Sequence, residues 1–88
     1  MLEIYSDLIQ RMYKCNDDIT KFKQSKAKVE LIWMYTTVTR LASSVGKEQV
    51  ECRRLNRITD NYNKKFLEFQ TALENLEYYI TIAYLTKE

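Results

Sequence analysis

The chain is expected to be all-α, an antiparallel hairpin of two long helices at about 2–44 and 47–86 with coiled-coil-like packing. Three observations lead there. Proline is absent and Gly46 is the only glycine, whereas a sandwich or barrel needs many turns built from those two residues. Apolar residues recur at alternating steps of three and four, the period of helices packed lengthwise on one another. The one glycine falls close to the middle of the chain, where a hairpin would reverse.

The first segment runs from Leu2 to about Lys23. Tyr5, Leu8, Met12, Cys15, Ile19 and Phe22 keep strict spacing. Asn16, Asp17 and Asp18 prefer caps and turns, but the seam passes them in phase, so they read as polar positions on a continuing helix. Lys23 to Lys28 (KQSKAK) is polar and holds no strong stop. Ser25 could cap a new helix, yet position 28 is lysine and no capping box forms.

A second seam follows at Leu31, Met34, Val38, Leu41 and Val45. It is offset from the first by two residues, roughly 200° around a helix. Val29 to Tyr35 (VELIWMY) is therefore apolar on nearly all sides, as in a segment enclosed by several neighbours. Ser43 to Lys47 then reads as the turn, with Gly46 supplying a left-handed C′ conformation.

The longest signal comes last. Cys52, Leu55, Thr59, Tyr62, Phe66, Phe69, Leu73, Leu76, Ile80 and Ala83 form one series in which only Thr59 is polar. No stop is read between Lys47 and about Thr86, a helix about 60 Å long at ~1.5 Å per residue. That length favours the hairpin over a three-helix arrangement with a break near Ser25. Two half-length helices would cover only residues 47–65 and strand Phe69 to Ile80 in water. Against the hairpin stands the change of face at 26–31. In the hairpin Phe22 would lie near Phe69 and Met12 near Ile80, with Cys15 far from Cys52. In the three-helix form the two cysteines would sit at similar heights, within reach of a disulfide.

Eighty-eight residues make one small domain, 1–88, whose stability margin is thin without a supplement. With no histidine and two cysteines, structural zinc is excluded as that supplement. Self-association is the natural substitute, a dimer with a four-helix core. No run of about 18 apolar residues suggests a membrane span, and Met1 to Asp7 carries no basic n-region of a signal peptide. A cytoplasmic location with reduced thiols is the expectation.

Chemistry is sparse. Without histidine or a Gly-rich phosphate loop there is no candidate catalytic, cofactor-binding or metal-ligating residue. Cys15 and Cys52 occupy seam positions and read as structural thiols. The chain is accordingly read as a non-enzymatic protein–protein interaction module: a small regulatory adaptor, chaperone or inhibitor that forms a homodimer or binds another protein. The candidate interface is Trp33, Met34, Tyr35, Phe69, Leu73, Leu76, Tyr79, Ile80 and Tyr84, since these are more apolar residues than one partner helix can cover. No small-molecule ligand or membrane partner is inferred.

The second reading is nucleic-acid binding. The net charge of +2 does not demand it, but positive charge is blocked: residues 14–28 and 51–65 each sum to +3, and 66–88 sum to −3. In the hairpin, Lys23, Lys26 and Lys28 would lie near Lys64 and Lys65 and, with Arg53, Arg54 and Arg57, make one band suited to phosphates. A solvated helix face accounts for the same residues.

Overall fold

The computed structural model describes residues 2–23 and 26–86. They form three helices, α1 (Leu2–Thr20), α2 (Lys26–Leu55) and α3 (Asp60–Thr86), with no strand among the described residues. The helices run up, down and up. Tyr5 on α1 donates its hydroxyl proton to the Ala42 carbonyl on α2 (3.1 Å). Lys28, at the start of α2, reaches the Phe22 carbonyl just past α1. Between the parallel α1 and α3, Arg11 pairs with Glu77 and the Tyr84 hydroxyl bonds the Asp18 carbonyl. The result is a rod of 50 × 19 × 16 Å.

The all-helical expectation therefore stands, but the two-helix hairpin does not. Neither long helix is continuous, and Gly46 makes no turn. It lies inside α2 with no positive φ. Two reversals replace it, one between the end of α1 and the start of α2 and one at 56–59. A four-helix core assembled from two hairpins loses its building block.

The first reversal agrees with a break near Ser25, although Ser25 itself lies outside the described residues. α1 carries Asn16 to Asp18 in helical conformation and ends at Thr20. Its last turn tightens, with Lys21 N–H on the Asp18 carbonyl (3.3 Å) and Phe22 N–H on that of Ile19 (3.1 Å). Such three-residue bonds are a common way for a helix to satisfy its final carbonyls. The Phe22 ring then packs on Tyr84, with ring centroids 4.6 Å apart.

The second reversal overturns the reading that nothing stops the chain between Lys47 and Thr86. Asn56 takes a left-handed φ of 56°. Its N–H bonds the Arg53 carbonyl (3.2 Å) and Arg57 N–H bonds that of Cys52 (3.1 Å). This bond pair is a Schellman cap with asparagine in the place glycine usually takes. Three residues on, Thr59 caps α3 by accepting the Tyr62 N–H on its hydroxyl (3.1 Å), and Asp60 sits in the first turn, where a carboxylate suits the helix dipole.

The seam hides this turn because Cys52 before it packs against the core and Thr59 after it is buried, although Leu55 between them is exposed. Cys52 Sγ lies 3.6 Å from Thr59 Oγ1, across the turn. The three-four rhythm thus continues through a reversal of direction. With the break at 56–59, α2 is 30 residues long and runs beside all of α3. Phe69, Leu73, Leu76 and Ile80 are consequently buried, not stranded as two half-length helices would have left them. Leu8, Met12, Cys15 and Ile19 of α1 and Leu31, Val38, Ala42 and Val45 of α2 complete the core around them.

Registers change accordingly. Tyr5, not Phe22, meets Phe69 (ring centroids 6.1 Å), and Arg11, beside Met12, lies at the level of Glu77. The cysteines are not at similar heights. From the Tyr5–Ala42 contact, Cys15 lies ten residues towards one end and Cys52 ten towards the other. That is about 30 Å along the bundle, beyond any disulfide, and both are free thiols.

Candidate interaction surfaces

The expected interface residues divide into two groups. Phe69, Leu73, Leu76 and Ile80 are core side chains, the first three fully buried. A partner could reach them only by opening the bundle. Tyr84 is engaged within the chain by Phe22 and Asp18. Tyr35 is half-buried, and burial raises its phenol above the ordinary pKa.

Trp33, Met34 and Tyr79 stay available. Trp33 is 71% exposed and Tyr79 50%. They border an open groove of about 540 Å³ between the start of α2 and the end of α3, with Met34, Ile82 and Ala83 along it. Val29 and Ile32 on the same helix are also exposed. From Leu31 to Thr39 α2 carries no charge at all, although Ile32, Trp33, Thr36 and Thr37 face solvent. A helix face turned to water normally carries charged residues. Its threonines bond back to carbonyls one turn earlier, Thr36 to Ile32 at 3.0 Å and Thr37 to Trp33 at 3.4 Å. Ala27 and Ile82 also line this groove; Ile82 is legible in the sequence as part of the apolar stretch Leu76 to Leu85, and Ala27 carries no signal.

The basic residues do not form one band. Lys26 and Lys28 open α2, and Arg53 and Arg54 close it. Twenty-five residues of helix separate Lys28 from Arg53, about 37 Å. The hairpin would have joined these groups; the three-helix path puts them at opposite ends. At the Arg53 end, Arg54 pairs with Glu51 and Lys65 with Glu68. Arg53 and Arg57 have no carboxylate partner among the described residues. They line a second open groove of about 350 Å³ with Gln49, Cys52, Ile58 and Tyr62. Lys64 is exposed and does not line it.

One inter-helix ion pair was not anticipated. The Arg11 guanidinium holds Glu77 with two bonds, Nε to Oε2 at 3.0 Å and Nη2 to Oε1 at 2.6 Å. A bidentate, half-buried pair fixes orientation better than a single surface contact. The partners are 66 residues apart in sequence, and no local pattern announces them.

Cys15 is buried, and burial, reinforced by Glu77 and Asp18, pushes its thiol up to about 11. Both burial and the raised pKa favour the neutral thiol, the weaker nucleophile, at neutral pH. No three of the described Cys, Asp and Glu residues converge as a metal site would require. No described helix is long and apolar enough to cross a membrane. Comparison with protein-family models, with curated proteins and with solved structures found no match to this chain.

Proposed function

We propose that the chain is a non-enzymatic protein–protein interaction module, a small adaptor, chaperone or inhibitor. It docks a second copy or another protein on the Trp33–Tyr79 face. One observation carries this reading: a solvent-facing stretch of α2 without charge, bearing the exposed Trp33 beside an apolar groove. Tryptophan and tyrosine are the residues most often found as anchors at interfaces. Self-association through this face would unite six helices. Nucleic-acid binding draws less support, because the positive residues lie at two ends of the rod with carboxylates among them.

Trp33 is the only tryptophan, so it reports on its own face. Light scattering is expected to show association at micromolar concentration, with Trp33 emission moving to the blue as the indole leaves water. Trp33→Ala with Tyr79→Ser should abolish the association while leaving helix content unchanged. A chain that stays monomeric, with an unshifted indole and no binding of hydrophobic dyes, removes the basis of the proposal.

A further inference from the structure

The two ends of the rod differ in one respect that bears on partners. α1 begins beside Tyr5, whose hydroxyl meets Ala42 and lies 3.7 Å from where a Gly46 side chain would start. α2 continues past that level to Leu55 and α3 returns from Asp60. Leu2, the first described residue of α1, lies nearly a turn past Tyr5. For roughly six residues on each helix, about 9 Å, α2 and α3 therefore form a two-helix tip with no third helix beside them among the described residues.

The groove at this tip continues the one that α1 fills. On α2, Ala42, Gly46, Gln49 and Arg53 follow steps of three and four and so share one face. Tyr5 of α1 covers the first two, and Gln49 and Arg53 line the open groove. On α3, Tyr62 lies two turns before Phe69, again on one face. Phe69 packs on Tyr5, and Tyr62 lines the groove. The space is therefore a seat for just under two turns of helix, in line with α1.

Its chemistry names the occupant. The exposed Ile58 and the half-buried Cys52 supply an apolar strip over the buried Tyr62, and Val50 and Leu55 are exposed on the same part of the chain. Arg53 and Arg57 stand along the groove with no described carboxylate to neutralise them. α1, the helix seated in the continuous groove, meets α3 through apolar contacts, the Tyr84–Asp18 hydrogen bond and one arginine–carboxylate pair, Arg11 with Glu77. At the tip the cations belong to the seat, so the carboxylates must come from the visitor.

We propose that the tip groove binds an acidic amphipathic helix of a partner protein. Such a helix would extend the three-helix bundle, its apolar stripe on Ile58 and Cys52 and its Glu or Asp residues on Arg53 and Arg57. This names a surface distinct from the Trp33 face and rests on the interaction-module reading only in taking a protein as the partner.

A displayed library of randomised helical peptides, selected on the whole folded chain, tests it. Recovered peptides should be enriched in acidic residues flanking an apolar stripe, and their binding should weaken with salt. They should bind Arg53→Glu/Arg57→Glu at least tenfold more weakly and Trp33→Ala unchanged. The milder pair Arg53→Gln/Arg57→Gln, which keeps the bulk of the side chains, should show the same trend should charge reversal upset the helix end. The proposal is overturned if no peptide is recovered, if those recovered lack acidic bias, or if both arginine pairs leave binding intact. Tighter binding of an oligothymidine strand than of any peptide would overturn it in favour of nucleic acid. Loss of binding on Trp33→Ala alone would assign the peptides to the other face and leave the interaction-module reading standing without this seat.

Discussion

The three-helix body and the two-helix tip are built from the same two long helices, yet they differ in what they bury. In the body, α1 closes the groove between α2 and α3, and Val45, Phe69, Leu73 and Leu76 lose all contact with water. At the tip, Tyr62 and Thr59 are buried, while Val50, Leu55 and Ile58 are exposed. A heptad-like seam thus specifies which side of a helix faces inward. How much of it becomes core depends on whether a third element arrives. Local stability should follow that difference, with the tip opening more readily than the body.

The largest effect that could break this comparison is in the body. Phe69 is 0% exposed and packs on Tyr5. Phe69→Ala should cost about 3–5 kcal/mol through lost burial and a cavity. In a small chain of modest stability that is enough to unfold much of the population. Leu67, two residues away and 62% exposed, should tolerate alanine within about 0.5 kcal/mol. Urea denaturation followed by circular dichroism reads both. Equal costs would show that α3 does not divide into a core face and a surface face as described.

A middle-sized effect sharpens the turn that separates the two long helices. Thr59→Ala removes the oxygen that accepts the Tyr62 N–H and should cost about 1 kcal/mol, the usual value for a lost N-cap. Hydrogen exchange should quicken around residues 56–66 more than in α1. In an uninterrupted helix the same change would replace a β-branched interior residue with the best helix former and would stabilise it. A raised urea midpoint for Thr59→Ala would therefore restore the continuous helix.

These residues also explain how far the fold was legible in the sequence. Helix content and most members of the core followed from composition and period, which are local properties. Val29 to Tyr35, apolar all round and so expected to be enclosed, instead leaves Val29, Ile32 and Trp33 exposed. The position of the reversal did not follow from the period either. Gly46 was given the turn because glycine is the commonest left-handed residue, while Asn56, the other residue that tolerates that conformation, passed as a helix position. Thr59 followed by Asp60 is a helix start in its own right, masked because Thr59 also kept the seam in phase. Once the turn moved by ten residues, α2 lengthened, α1 became parallel to α3, and Lys26 and Lys28 moved to the far end from Arg53. The interface residues fared according to their neighbours: Trp33 and Tyr79 stayed outside, while Phe69 and Leu73 had partners within the chain. No pattern in one sequence reports which of two apolar faces another helix will claim.

The smallest effect decides between the two assignments of Gly46. Were it the C′ residue of a hairpin turn, a side chain there would force a left-handed φ on an L-residue, and Gly46→Ala would cost about 1–2 kcal/mol. In the bundle Gly46 is an interior residue of α2 with ordinary helical φ. A methyl group built on it meets only the Tyr5 hydroxyl, at 3.7 Å, an ordinary contact. Alanine then removes the entropy that glycine loses in a helix and should raise stability by about 0.5–1 kcal/mol. The sign alone separates the readings, so a modest shift in the urea midpoint suffices. The gain should also appear in both regions, because residue 46 lies near where α1 ends its cover and the open tip begins. A stiffer α2 at that junction holds Gln49 and Arg53 in line with Ala42, and the tip groove should then exchange more slowly together with the body.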